Sequence, residues 1–409
     1  MKKLFLLLHI VYAVSYCQPF HKQIFTQTYI VPGDSLSTIF FLYRVPYQNL
    51  VFQKNENQYT AQLRLYLEVT DTNSKFVDRE IKDWNIRTNL FEETSSSEIF
   101  AEGMIKIELA NGSYNILPIV TDKNSRELKL ENVRIDVSDK KYREPLIVDA
   151  KKIRCDGQDF LRLTNYENSL PFGSEPCDFI IPVSDISEEE IFVTVISGID
   201  TVYYGKVITS FVSNLVFFEC DGKILLSERN EGIKTRNYVL SGISNKLQEG
   251  TFTIVIDENK DANFKKDVFW YDKPVSLRNP EEAVKAIKNI ENEDVVDSLL
   301  SQGEELIYKA LVGYWKKIDP TPETEYNELM AEFYTRVDYT LKNFGSITGV
   351  KGVESDRGKV FVKFGKPNKI ERSSNLQGKV VETWIYDKLQ RKFVFVDKDG
   401  TGEFSLESS

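Results

Sequence analysis

The chain has 409 residues, more than one hydrophobic core usually supports, and is 41% hydrophobic and 12% aromatic, so several packed domains are expected and a disordered chain is excluded. Its formal charge of −10, from 62 acidic and 52 basic side chains, repels phosphate backbones and argues against nucleic acid as a partner. Only His9 and His21 are present, which leaves histidine-based nucleophilic catalysis and zinc chemistry without a folded scaffold.

Lys2 and Lys3 precede an apolar run from Leu4 to Val14 and then Ser15-Tyr16-Cys17, a pattern that reads as a secretory signal over residues 1–17. The run is too short to span a bilayer, and the other apolar runs are shorter and broken by charge, so no transmembrane segment is expected. Cleavage after Ser15 or Cys17 leaves a start near Gln18 and takes the charge from −10 to −12, because Lys2 and Lys3 leave with the signal. A lipid anchor on Cys17 is the alternative, against which stands the bulk of Tyr16. The expected address is export, to the periplasm or to the outer membrane or cell surface. Cys155, Cys177 and Cys220 then remain, an odd number that permits one disulfide in an oxidising compartment. Cys155 and Cys177 would close a short loop rich in polar residues, Gly and Pro; three unpaired buried thiols are the alternative.

Residues 18–150 read as one β-sandwich. Tyr59, Ala61, Leu63, Leu65, Leu67 and Val69 alternate with polar neighbours as in a half-buried strand, and Val133, Ile135 and Val137 repeat the pattern. Asn111-Gly112, between two apolar runs, predicts a tight hairpin. Two basic clusters, Lys140-Lys141-Tyr142-Arg143 and Lys151-Lys152-Ile153-Arg154, flank a predicted linker; a polyanion site is their alternative reading. Residues 151–278 form a second sandwich, with strands at 191–196, 202–208, 215–220 and 251–256 and a turn at Asp221-Gly222. Both are predicted to be immunoglobulin-like.

Residues 279–318 form a helical connector. Asn279 is placed to cap a helix that starts at Pro280-Glu281-Glu282, and the helical period resumes from Val295 through Trp315. Over 319–409 an α+β unit is expected: Thr321 caps a helix whose stripe is Tyr326, Met330, Phe333, Val337 and Leu341, and strands follow at 359–364, 380–386 and 392–396. The fold class is mainly β, with two sandwiches followed by helices and a small antiparallel sheet.

The spacing of Trp315-Lys-Lys-Ile-Asp319-Pro, Gly352-Val-Glu-Ser355-Asp356-Arg357-Gly358, Gly365-Lys-Pro367 and Glu382-Thr-Trp384-Ile-Tyr386 resembles that of the GWxTD domain of secreted proteins from Bacteroidetes-type and related bacteria. The naming motif departs from the family at Val353, for Trp, and at Ser355, for Thr. The family has no established activity, so the resemblance implies architecture and address rather than chemistry. Asp356 and Arg357 are expected to pair at the start of a strand, Gly365 and Pro367 to shape the turn that leaves it, and Trp384 to fill the core. The competing role is a surface on which Arg357 grips a partner's carboxylate.

No catalytic residue, metal site or cofactor is predicted. Asp257-Glu-Asn259-Lys-Asp261 begins like a calcium loop but has Ala262 where the glycine belongs and Val268 where the closing acid belongs, and Glu188-Glu189-Glu190 reads as a solvated loop. Gly400-Thr-Gly402 lacks the lysine and helix of a phosphate loop. The expected function is a non-catalytic interaction or assembly component of the cell envelope or surface, with other envelope proteins as partners. The alternative is a carboxylate-dependent hydrolase of cell-wall or exported polymers. Mass spectrometry of the protein from its native host should find a start between Tyr16 and Gln18; retention of Met1 would refute the signal, and a diacylated Cys17 would select the anchor.

Overall fold

The computed structural model describes residues 24–408, apart from 125–126, 260 and 347–348. The signal, with Lys2, Lys3 and Cys17, and both histidines lie outside the described residues. The chain opens with β1 (Phe25–Val31), β2 (Ser37–Pro46), β3 (Gln53–Asn55), β4 (Gln58–Asp71), β5 (Phe76–Thr88), β6 (Phe100–Leu109), β7 (Gly112–Asp122), β8 (Glu127–Lys129) and β9 (Val133–Val137). Sheet A runs β1-β2-β6. Sheet B runs β5-β4-β7-β9 across its width, with β3 and β8 as short additions. The predicted alternation is β4, whose Ala61, Leu63, Leu65, Leu67 and Val69 share a core with Ile39, Phe41 and Tyr43 of sheet A.

Asn111-Gly112 does not close a hairpin. β6 pairs with β2 in sheet A and β7 pairs with β4 and β9 in sheet B, so the pair carries the chain from one layer to the other. Alternation around such a turn is satisfied equally by a hairpin within one sheet and by a crossover between two facing sheets.

The second sandwich contains β10 (Leu146–Asp149), β11 (Ile153–Cys155), β12 (Gln158–Arg162), β13 (Leu170–Pro171), β14 (Cys177–Val183), β15 (Ile191–Ser197), β16 (Asp200–Val207), β17 (Ser210–Cys220), β18 (Lys223–Arg229), β19 (Thr235–Leu240), β20 (Gly250–Ile256) and β21 (Asn263–Phe269). A seven-stranded sheet, β10-β14-β19-β17-β18-β12-β11, faces a five-stranded one, β13-β21-β20-β15-β16. Phe179, Ile181 and Tyr238 from the first meet Val193, Val195, Phe252 and Ile254 from the second. Asp221-Gly222, with φ of 49° and 69°, makes the predicted hairpin between β17 and β18; two left-handed residues give the turn whose twist suits the strands.

The disulfide joins Cys155 to Cys220, with Cα atoms 6.5 Å apart, and not to Cys177. Cys177 is a free thiol facing the second core, where burial pushes its pKa up to about 12. Proximity in sequence had suggested the short loop, but Cys155 ends β11 and Cys220 ends β17, and the sheet brings those ends together.

Sheet A is covered on both sides. Phe40, Leu42, Tyr29 and Met104, on the face opposite to Ile39 and Phe41, pack on Leu146, Ile180, Leu215, Phe217 and Leu226 of the seven-stranded sheet. The two sandwiches therefore stack as four β layers with sheet A inside.

Five helices follow: α1 (Pro280–Ala286), α2 (Glu293–Leu300), α3 (Glu304–Lys316), α4 (Glu328–Asn343) and α5 (Asp356–Phe364). The last sheet, β22-β23-β24-β25, is made of Lys369–Ser374, Val380–Tyr386, Arg391–Asp397 and Phe404–Ser408. Asn279 caps α1 as predicted, accepting from the Glu282 amide. On α4 the cap is Asn327, not Thr321, which instead donates to Glu328; Met330, Phe333 and Val337 are buried and Leu341 is exposed. Trp270 and Phe172 of the second sandwich pack on Tyr326, so the helical core continues from the β core.

The stretch predicted as a strand at 359–364 is helix α5. Its apolar run fits either period, and the ends decide: the Ser355 hydroxyl caps the first turn and Gly365, at φ 74°, ends the last. No helix among the described residues is long and apolar enough to cross a membrane.

Peptide mapping without reductant should recover Cys155 joined to Cys220, with Cys177 alkylated only after denaturation. Cys220→Ser should lower stability by about 2–4 kcal/mol. Recovery of Cys155 joined to Cys177 would overturn this pairing.

Candidate functional site

The motif residues form a clamp between α4 and α5. Gly352 lies so close to α4 that a Cβ added to it would stand 1.8 Å from the Thr340 carbonyl oxygen, and one on Gly358 would stand 1.9 Å from the Gly352 oxygen. Neither position has room for a side chain. Ser355 ties the two together: its hydroxyl donates to the Gly352 carbonyl at 2.7 Å and accepts from the Gly358 amide at 3.1 Å. Val353, where the family motif has Trp, packs against the helical core.

Asp356 and Arg357 do not pair with each other, as sequence reasoning had them do. Asp356 accepts from the Leu406 amide at 3.0 Å and from Lys359, which fixes β25 to the start of α5. Arg357 points inward, as consecutive helical residues must diverge, and meets Glu382 of β23 at 3.3 Å with its guanidinium over the Phe404 ring at 3.9 Å. Glu382, almost wholly buried, also accepts from Arg372 and from the Trp384 indole. Burial lowers the Arg357 pKa, while the Glu382 charge works against that shift. Trp384, 1% exposed, packs with Phe344, Phe361 and Phe395. Tyr386 donates to the Gly365 carbonyl at 2.8 Å, and Pro367 is buried three residues beyond the end of the helix. Gly352, Ser355, Asp356, Arg357, Gly358, Gly365, Pro367 and Trp384 thus belong to one packed unit.

A second polar centre, between the two sandwiches, was not found from the sequence. Arg44 of β2 lies between the rings of Phe100 and Tyr166, at 3.9 and 3.7 Å, and donates to the Thr164 carbonyl and the Tyr166 hydroxyl. Glu102 of β6 meets Arg44 at 3.4 Å and Arg162 of β12 at 2.8 Å; Arg162 reaches Asp149 as well. The side chains of Arg44 and Glu102 are 5% and 2% exposed, and burial lowers the Arg44 pKa against the pull of Glu102. Arg44, Glu102 and Arg162 lie in strands far apart in the sequence, and only their places opposite one another in the sheets bring them together.

A cavity of about 530 Å³ is lined by residues 26–31 of β1, 133–136 of β9 and parts of β17 and β19. Its carboxylates are engaged: Glu144 holds the buried Lys266 at 2.9 Å, and Asp136 accepts from Ser113 and Ser138 with Lys140 nearby. Asp257, in the loop that only begins like a calcium loop, accepts from the Phe192 amide at 2.7 Å and the Tyr142 hydroxyl at 2.8 Å.

Residues 250–407 match the profile of the GWxTD domain family, a span that takes in β20 and β21 as well as the helices and the last sheet. No curated protein matches the chain. Among solved structures, a purple acid phosphatase isolated from yellow lupin (Lupinus luteus) seeds is 10% identical, with 66% of this chain and 50% of the phosphatase covered and a TM-score of 0.16. The lysenin pore is 9% identical over 54% of this chain and 96% of its own, at a TM-score of 0.10. The chain spans half the length of the phosphatase it matches, and neither likeness bears on fold or chemistry.

Urea unfolding of the mature chain should show Arg357→Ala losing about 3–5 kcal/mol, because Glu382 is left buried beside a partner that is largely solvated. Gly352→Ala and Gly358→Ala should each lose about 1–3 kcal/mol through overpacking, and Trp384→Ala about 3–5 kcal/mol through the cavity it leaves. Ser355→Thr should be near neutral, since both side chains cap. Wild-type unfolding in the arginine and glycine variants would show that the motif is a surface and not a clamp.

Proposed function

On the premise that this chain carries a GWxTD domain over residues 250–407, we propose that it is an exported, non-catalytic interaction or assembly protein of a bacterial cell envelope or surface, with other envelope or surface proteins as its partners. The observation that carries this reading is that the residues marking the family are used in holding the chain to itself. Gly352 and Gly358 let backbones touch, Ser355 caps, and Arg357 and Glu382 neutralise each other inside the domain. A motif of this kind preserves a shape, and a preserved shape suits a module that is docked on or built into an assembly.

Export is supported by the Lys2-Lys3 and apolar pattern at the N-terminus and by the Cys155–Cys220 disulfide, since such bonds persist in oxidising compartments. The engaged state of Glu144, Asp136 and Asp257 counts against the hydrolase alternative, which needs a carboxylate able to exchange a proton with substrate.

Photo-crosslinking in intact cells of the native host, from probes placed at Ile199 and Leu376 on exposed tips of the two β regions, should give discrete adducts with one or a few envelope proteins. The purified mature protein should release no fragments from cell-wall or exported polymers. Fragment release that is lost in a Glu or Asp variant would make the chain a hydrolase and overturn this reading.

A further inference from the structure

Sheet A is one strand narrower than sheet B, which covers one of its faces. Sheet B is four strands wide, β5-β4-β7-β9, and lies over a three-stranded sheet A whose order is β1-β2-β6. β5 lies along β6, where the Lys82 ammonium bonds the Met104 carbonyl, so sheet A is aligned to that side and its vacant fourth position falls next to β1, opposite β9. The cavity of about 530 Å³ lies there. Its walls are β1, β9, and the β17 and β19 strands of the seven-stranded sheet.

The two edges of sheet A are treated differently. On β6, the Glu219 carboxylate accepts from the Met104 amide at 2.6 Å while Lys82 donates to the Met104 carbonyl, and the two side chains pair at 2.9 Å, so side chains block this edge at its centre. On β1, alternate amides and carbonyls point away from β2 by the geometry of an antiparallel pair. Among the described residues no side chain or loop bonds them. Six consecutive β1 residues line the cavity, about 20 Å of strand at ~3.3 Å per residue.

Two side chains add direction. Gln27 is 8% exposed, lines the cavity, and its amide nitrogen has no hydrogen-bond partner. Arg143 also lines the cavity, and among the described residues its guanidinium meets no carboxylate and donates no hydrogen bond. Burial draws its pKa down to about 10, and the nearby Asp139 opposes that shift. The nearby carboxylates of Asp136 and Glu144 are engaged by Lys140 and Lys266. Arg143 is thus a cation of the cavity lining that forms no ion pair among the described residues.

We propose that this slot takes an extended peptide segment of a partner protein, which adds to β1 as the fourth strand of sheet A and places an Asp or Glu side chain on Arg143. Main-chain bonds to β1 supply affinity, and the apolar walls with Arg143 supply selectivity. The inference rests on the reading of the chain as an interaction protein and names the chemistry of its partner.

The test uses the mature protein and random heptapeptides displayed on phage. Selected sequences should alternate apolar residues and carry an acidic one. The leading peptide, synthesised with a fluorophore, should bind at least tenfold more weakly when its Asp or Glu becomes Lys, when alternate amides are N-methylated, or when the protein carries Arg143→Gln with an unchanged melting temperature. Binding should slow hydrogen exchange of residues 26–31. Enrichment of no peptide, or of peptides that ignore Arg143→Gln and leave exchange at 26–31 unchanged, overturns the slot. Crosslinked partners in intact cells would then still stand for the broader reading, whereas polymer hydrolysis would remove that reading and leave a bound peptide unaffected.

Discussion

Strand β2 is the element on which the rest of the stack depends, because it is buried on both faces. Ile39, Phe41 and Tyr43 face sheet B while Phe40 and Leu42 face the seven-stranded sheet, so one strand supplies two cores. A strand with solvent on one side can slip or twist at small cost. One with apolar residues on both faces is held in register by both neighbours, as strands of buried parallel sheets are. The two sandwiches are consequently not beads on a linker. They share a hydrophobic layer, and at roughly 25 cal/mol per Å² of apolar surface removed from water that layer is what makes them one body.

Hydrophobic burial alone does not choose an angle, and the Arg44, Glu102, Arg162 and Asp149 cluster supplies that choice. Taking an arginine and a glutamate out of water costs several kcal/mol for each ion, so such a cluster adds little net stability. Any sliding between the sandwiches, however, would separate Glu102 from Arg162 at 2.8 Å or draw Arg44 from between Phe100 and Tyr166, and would leave a buried charge unmatched. The cost of the wrong arrangement is large even though the gain from the right one is small. Relative orientation is fixed in this way, and with it the walls of the β1 slot, which come from both sandwiches.

The legible parts of the sequence were those set by local periodicity and local capping. The β4 alternation, the Asp221-Gly222 hairpin and the Asn279 cap involve neighbours in the chain, and each was read correctly. Asn111-Gly112 and Cys155 were misread because what decides them is which distant strand lies alongside. Helix α5 was taken for a strand since Val360, Phe361, Val362 and Phe364 fit both periods; Ser355 and Gly365 marked its ends in the sequence, and should have been weighed more heavily than the apolar run. At the candidate sites, the motif residues were found as a group, Glu382 among them by its spacing, but its pairing with Arg357 was not. Arg44 and Glu102 gave no signal, for an arginine within an apolar strand looks like any residue on a solvated face. Gln27 was silent and Arg143 was read only as part of a basic cluster flanking a linker, because a vacancy between sheets is a property of strand counts in two layers, which no window along the chain contains.

The two departures from the family motif can be understood from what each position does. Gly352 cannot vary, because a Cβ there would lie 1.8 Å from a backbone oxygen that has no freedom to move. Position 355 needs a hydroxyl that caps α5 and reaches the Gly352 carbonyl, and serine and threonine both provide one. Position 353 needs apolar surface against the helical core, and valine provides less of it than tryptophan while leaving the backbone path unchanged. Substitution has thus occurred where the requirement is for a functional group or for apolar area, and not where it is for empty space. A motif selected for chemistry would show the opposite bias, retaining its reactive group and tolerating change in its scaffold. The pattern here is that of a packed joint between α4, α5 and the last sheet, in which backbone contact at Gly352 and Gly358 is the strictest requirement.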